Sequence, residues 1–200
     1  MSSTKYSHRH SEKKSIRQEM RAKRLVLTPK QQNCAAHHLV RQARKHISIL
    51  SSKRVLAYQA HAGEISPYAL INKIKPLNLY LPKITHYRQG LMRFYPSHTL
   101  NTRNRYGILE PNAIGEPTNA NHFDLILVPL VAFDRNGNRL GMGAGYYDRA
   151  LAHLAHQPST RPKLLGLAYH FQETLSLKSE PWDIPLDAII TDREFININV

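Results

Sequence analysis

Two hundred residues, 42% apolar and 8% aromatic, make one ordinary globular domain or two small ones. Apolar stretches such as Leu125 to Phe133 exclude disorder throughout, no run reaches the roughly 18 apolar residues of a membrane span, and the start MSSTKYSHRHSEKK lacks the apolar core of a secretory signal. A lone cysteine, Cys34, excludes an internal disulfide framework and fits a reducing cytoplasm, and of the net charge of +14 the first 54 residues hold +12 (14 basic, Glu12 and Glu19).

Residues 1–10 are polar and read as a flexible N-terminus, ahead of one α/β domain over 11–200 that opens with a basic helical segment, 11–54. Ser11 to Leu27 has helical spacing, with Ile16 and Met20 four apart. Lys14, Arg17, Arg21 and Arg24 recur at threes and fours, so they share a face, and Lys13 lies one turn before Arg17. Arg21 and Arg24 are expected to be mainly solvated. Thr28-Pro29-Lys30-Gln31 is an N-cap, a first-turn proline and the closing member of a capping box. The helix it opens carries an apolar stripe of Ala36, Leu39, Val40, Ala43, Ile47 and Leu50. Cys34 lies just beside that stripe and reads as a small, at least partly buried residue.

Strands and helices then alternate. Arg54 to Gln59 reads as a strand, Pro67 to Ile74 as a helix, and Leu77 to Leu81 and Leu91 to Tyr95 as strands. Asn112 to His122 is loop-like. Asp124 to Phe133 is a near-continuous apolar run, as in a central strand buried on both faces, which ends or bends at Pro129. Tyr146 to His156 reads as a helix; Leu164 to Tyr169, Asp187 to Thr191 and Phe195 to Val200 read as strands. The alternation predicts an α/β fold with a mainly parallel sheet.

The segment from Phe133 to Asp148 carries the chemistry. Asn136-Gly137 marks a tight turn, and Gly141, Gly143 and Gly145 then alternate ahead of a helix. Glycines at this spacing let successive N–H groups converge on an anion, helped by the helix start. Arg139 is placed to fork onto a phosphate. No Gly-Lys-Ser/Thr follows, so this is not a Walker loop, and Tyr146 stands where a dinucleotide fingerprint needs its last glycine. Asp148 in the first helical turn suits Mg²⁺ between a carboxylate and phosphate oxygens, or simply a helix-start acid. Asp183, in Pro181-Trp182-Asp183-Ile184-Pro185, is a second magnesium candidate, or part of a rigid turn whose Trp182 packs on the core. Glu64 follows the first strand, where α/β ligands bind, although a lone loop glutamate is ordinarily solvated. The twelve histidines, His37, His38 and His86 among them, show no metal-site spacing.

Taken together, Lys13-Lys-Ser-Ile-Arg17, Gly63-Glu64-Ile65, Leu81-Pro82, Tyr106-Gly-Ile-Leu-Glu-Pro111, Asp124 to Asp148 and Trp182-Asp-Ile-Pro185 resemble the 5-formyltetrahydrofolate cyclo-ligase family, from about Lys13 to Thr191. The resemblance implies a three-layer α/β fold related to ribose-phosphate isomerases. It implies a cytoplasmic, monomeric ligase that uses ATP and Mg²⁺ to close 5-formyltetrahydrofolate, polyglutamylated forms included, into 5,10-methenyltetrahydrofolate with release of ADP and phosphate. On the same likeness ATP meets Lys13, Arg17, Arg139, Leu140, Gly141, Met142, Gly143, Ala144, Gly145, Tyr146 and Tyr147. Asp148 and Asp183 hold magnesium, and the folate meets Gln59, Glu64, Tyr106 and Tyr146. Arg139, Tyr146 and Asp148 take the catalytic roles. The chain departs from the pattern at Met142 and Ala144, where animal members carry basic residues; many bacterial members have a glycine where Ala144 stands, so Ala144 requires a negative φ.

Two other functions compete. The basic quarter would suit nucleic acid, but Tyr6 is its only aromatic residue, so stacking is not offered. A sugar-phosphate isomerase of similar architecture would turn over without ATP or Mg²⁺. No membrane partner and no specific nucleic acid are expected.

Overall fold

The computed structural model describes residues 2–76, 78–156 and 161–198. Helix α1 (Ser2–Leu25) starts nine residues before the expected Ser11, since no glycine or proline interrupts the polar leader. Helix α2 (Pro29–Ala43) opens as the sequence signals: Thr28 accepts from the Gln31 amide and the Gln31 side chain returns to the Thr28 backbone. It ends sooner than the stripe implied. Leu50 sits in a separate turn, α3 (Ile47–Leu50), and the side chain of Ile47 lies outside the described set. Cys34 is exposed rather than partly buried, because it falls on the solvent side of α2 while Ala35, Ala36, Leu39 and Ala43 face inward.

The sheet follows. Strand β1 (Arg54–Leu56), helix α4 (Tyr68–Ile74), strands β2 (Asn78–His86) and β3 (Leu91–Pro96) come first. A small ribbon, β4 (Leu100–Arg103) with β5 (Leu109–Pro111), precedes β6 (Leu125–Pro129). A second ribbon pairs β7 (Ala132–Phe133) with β8 (Arg139–Leu140). Helix α5 (Tyr146–Leu151), β9 (Lys163–Ala168), β10 (Ala188–Thr191) and β11 (Phe195–Asn197) complete the order. The expected strand starting at Leu77 and the expected end of the last strand, residues 199 and 200, reach outside the described residues.

The seven strands run β11-β10-β9-β6-β1-β2-β3. The inner five are parallel, and β3 and β11 add antiparallel edges. This is the mainly parallel α/β sheet that the alternation predicts. Side chains alternate across it. Leu125, Leu127, Leu165 and Leu167 pack with α2 and α4; Ile126, Val128, Leu164 and Ala168 pack with Leu151 of α5 and Leu154. Helices therefore cover both faces, as buried parallel strands require.

Candidate functional site

At Pro129 the chain leaves the sheet, as its ring and missing N–H dictate, and the apolar run divides into β6 and β7. The turn between β7 and β8 is organised by Asp134. This fully buried carboxylate accepts from the amides of Asn136 (2.9 Å), Asn138 (3.1 Å) and Leu177 (2.8 Å). Gly137 supplies the positive φ of 82° that the turn needs. β8 then delivers Arg139 directly to the glycine loop.

That loop walls a cavity of about 480 Å³, within the roughly 300–1,000 Å³ of small-molecule sites. Gly141, Met142, Ala144, Gly145, Tyr146, Tyr147, Asp148 and Arg139 line it together with Gln59, Glu64 and Tyr106. The structure thus brings the expected folate residues together with most of the expected nucleotide residues. Ala144 is not among the positive-φ residues, which satisfies the condition its side chain imposes; Gly143 has φ 103° and Gly145 φ 65°.

Lys13 and Arg17 approach the loop from α1 and do not line this cavity. Arg17 Nε donates to the Gly141 carbonyl at 2.8 Å, and a side chain at Gly143 would meet the Arg17 guanidinium at 3.6 Å. Lys13 pairs with Glu180 at 3.0 Å. Leu140 is buried with Met20, Val131, Ala132 and Leu177, so it anchors the loop from beneath. Asp183 is also off the cavity wall: its carboxylate accepts from the Glu180 amide at 2.8 Å, in a turn held beside α1 by the Lys13–Glu180 pair. Trp182 does not pack on the core; it is 61% exposed.

The charges of the site are internally paired. Arg139 Nη2 meets Asp148 Oδ1 at 2.5 Å, while Arg139 Nε is buried and has no hydrogen-bond partner among the described residues. Arg149 ties the loop to the β2–β3 turn, donating to the carbonyls of Ala144 and Gly90. Arg105 stacks on Tyr87 (4.1 Å) and Tyr106 (4.8 Å) at the rim, and its hydrogen bond to the Tyr106 hydroxyl holds that phenol's pKa down. Tyr146 shares a hydrogen bond with Tyr106, and burial pushes its pKa up. Gln59 hydrogen-bonds Tyr68.

Glu64 and Arg24 depart from expectation. Glu64 is not solvated: it is largely buried, and burial raises its pKa against the opposing pull of Arg24 and of the His61 amide, which donates to Oε2 at 3.1 Å. Arg24 is fully buried rather than solvated, 3.8 Å from Glu64. Burial also raises Tyr58 and Tyr147 and pushes Tyr169 up to about 12; the Tyr147 and Tyr169 hydroxyls are buried without hydrogen-bond partners among the described residues.

Sequence reasoning missed Arg21, Tyr58, His61, Asn104 and Glu110 on the cavity wall. Arg21 was within reach, one turn after Arg17. Glu110 gave no local signal, because its role is structural and set by a distant partner: buried, it accepts from the Ile84 amide and Asn104 and joins β2 to β5. Among the described residues one cluster, His170, Glu173 and Glu194, has metal-like spacing, but Arg135 already bridges its carboxylates at 2.6 and 2.7 Å.

The model for the 5-formyltetrahydrofolate cyclo-ligase family matches residues 9–192. The chain is 37% identical over 183 residues to the 5-formyltetrahydrofolate cyclo-ligase of Haemophilus influenzae, covering 89% of this chain and 96% of that one. It is 32% identical over 177 residues to the Escherichia coli K12 enzyme of the same name, covering 86% and 96%. The solution structure of Aquifex aeolicus 5,10-methenyltetrahydrofolate synthetase superposes with a TM-score of 0.77 at 30% identity, covering 94% of this chain and 93% of that chain. A glycine loop with a paired arginine and aspartate, a cavity of substrate size and a match over nearly the whole chain converge: this chain belongs to the 5-formyltetrahydrofolate cyclo-ligase family.

Proposed function

We propose that the protein is the ATP-dependent ligase that cyclises 5-formyltetrahydrofolate to 5,10-methenyltetrahydrofolate, and that residues 11–200 act as one cytoplasmic, monomeric catalytic unit. A formamide carbon is a poor electrophile, and its oxygen is a poor leaving group. Transfer of the γ-phosphoryl group of ATP to the formyl oxygen cures both faults. The second folate nitrogen then attacks the carbon and gives up its proton to solvent, the carbon–oxygen bond breaks, and phosphate departs with the former formyl oxygen. The protein's part in such a transfer is placement and charge neutralisation.

The observation that carries the reading is the Arg139–Asp148 pair beneath the glycine loop. The buried, unpartnered Nε of Arg139 is a donor waiting for an anion. Loop amides and Arg17 cradle the triphosphate, and Lys13 exchanges Glu180 for phosphate. Tyr146, Tyr106, Gln59 and Glu64 orient the folate in the same cavity. Among the described residues Asp148 Oδ2 accepts no hydrogen bond, so a hard oxygen donor stands free beside the phosphate position. That fits Mg²⁺, which when bound offsets charge on the transferring phosphates. Asp183, committed to its own turn, has no part in this assignment. No described helix is long and apolar enough to cross a membrane.

The deciding experiment mixes purified protein, 5-formyltetrahydrofolate, Mg²⁺ and ATP and follows methenyltetrahydrofolate absorbance. Product forms only with ATP present. Equal turnover without ATP overturns the proposal.

A further inference from the structure

Arg24 is among the largest fully buried side chains of the described residues, yet its partners are poor. Nη1 reaches the Leu130 carbonyl at 3.4 Å and Glu64 Oε1 at 3.8 Å; Nη2 reaches Met142 Sδ at 3.9 Å; Nε has no partner among the described residues. A buried guanidinium with long contacts and an orphaned N–H is costly to the fold. Its surroundings indicate what offsets that cost. Glu64, Met142 of the glycine loop and Leu130, which follows the end of β6, all line the cavity, so one cation lies behind residues from three segments of its lining.

The backbone is arranged for the same contact. Ala62 (φ 49°) and Gly63 (φ 75°) turn the chain sharply before Glu64. A side chain at Gly63 would stand 2.9 Å from the Arg24 carbonyl, so the turn packs directly on the Arg24 main chain. The His61 amide fixes the other carboxylate oxygen.

We infer that Arg24 is a positioning residue, which holds Glu64 ionised and aimed into the cavity for the substrate without touching the substrate itself. The inference rests on the folate reading of Glu64. The phenols that face the carboxylate are neutral: Tyr58 from β1's continuation, Tyr147 from α5 and Tyr169 after β9; His61, whose amide binds Oε2, also lines the cavity. Arg139 is engaged by Asp148, and Arg21 acts on Arg24 rather than on Glu64. Arg24 is therefore the cation that opposes the burial of Glu64.

The test titrates the Glu64 carboxyl by carbon NMR in the ligand-free protein, with the resonance assigned from Glu64→Gln. The wild type, Arg24→Gln, Arg24→Met and Arg24→Lys are compared, together with the pH profile of kcat/KM for 5-formyltetrahydrofolate at saturating ATP. Loss of the cation raises the Glu64 midpoint by about one to three pH units, and the acid limb of the profile moves up with it. Arg24→Lys keeps the midpoint near the wild-type value. An unchanged midpoint in a folded neutral variant overturns the inference. So does a wild-type Glu64 already protonated at pH 7, which decides the matter even where neither neutral variant folds. Unchanged folate KM in Glu64→Gln instead removes the folate reading, and the Arg24–Glu64 coupling measured without ligand still stands.

Discussion

Arg139 and Asp148, nine residues apart, clasp each other at 2.5 Å across the glycine loop, so the loop's ends are joined before any nucleotide arrives. The same two side chains are the ones a phosphate and its cation would claim. Asp148→Asn keeps the shape and an acceptor for Arg139 but removes the charge. Turnover at limiting Mg²⁺ is expected to fall roughly 100-fold, in line with loss of one group that stabilises transition-state charge. Stability should drop by only about 1 kcal/mol, or about 2–4 °C in Tm for a chain of this size. Steady-state Mg²⁺ titration and a thermal melt check both halves. Normal turnover at low Mg²⁺ would remove the metal role of Asp148.

The loop glycines are not equivalent. Gly143 holds φ 103°, which a β-branched residue adopts only at about 1–3 kcal/mol, and its open side faces Arg17. Gly143→Val should therefore lose at least tenfold in ATP affinity while staying folded by circular dichroism. Gly141 is outside the positive-φ set, and the nearest atom to an added carbon is Arg139 Nη1 at 4.0 Å. Gly141→Ala should cost less than about 0.5 kcal/mol, roughly twofold. Calorimetric titration with ATP separates the two; equal effects would show that loop conformation is irrelevant to binding.

Arg17 and Lys23 offer a matched test of the basic helix. Arg17 reaches the loop through Gly141, whereas Lys23 is exposed and, among the described residues, paired only with Glu19 one turn away. Arg17→Ala should raise the ATP KM about 10- to 100-fold, the equivalent of a charged hydrogen bond worth about 1.5–3 kcal/mol. Lys23→Ala should change it by no more than about twofold, and added salt should erase that change. Similar, salt-sensitive losses in both would make α1 a diffuse anion patch.

Tyr147 buries its hydroxyl without a hydrogen-bond partner among the described residues. Tyr147→Phe removes no hydrogen bond to any described residue, so Tm should hold or rise slightly. If the hydroxyl is kept for substrate, kcat/KM should nonetheless fall about tenfold, a loss of roughly 1.4 kcal/mol. Full activity in this variant would leave the orphaned group unexplained by binding.

The parallel strands were legible because burial on both faces leaves continuous apolar runs, and Pro129 marked where the central one stops. The glycine loop was legible because its turn chemistry is written in adjacent residues. The ribbon of β4 and β5 was not: its strands are short and polar, and Glu110 secures it through contacts distant in sequence. Arg24 was misread for a more instructive reason. It continues the Ile16–Met20 stripe at the next turn, so the periodicity itself places it inward, while its charge argues for solvent. Periodicity prevailed because Glu64, forty residues on, supplies the counter-charge, and a partner that far away leaves no local trace.

Where β6 yields to β7 at Pro129, the protein also separates two kinds of inheritance. Everything up to that proline is tied by strand register to its neighbours, from Val55↔Leu125 through Pro129↔Leu167. From Ala132 to Asp148 the chain pairs in no strand of that sheet; it is held by its own two-residue ribbon, by the Asp134 turn and by bonds from Leu177, Leu186 and Arg17. On the proposed assignment, substitutions in that second stretch that keep the buried Phe133, Asp134 and Leu140 would retune nucleotide or metal preference without shifting a single pair of the seven-stranded sheet. A swap of residues 134–148 between relatives should accordingly carry its ATP affinity along, and leave behind the melting behaviour of the recipient.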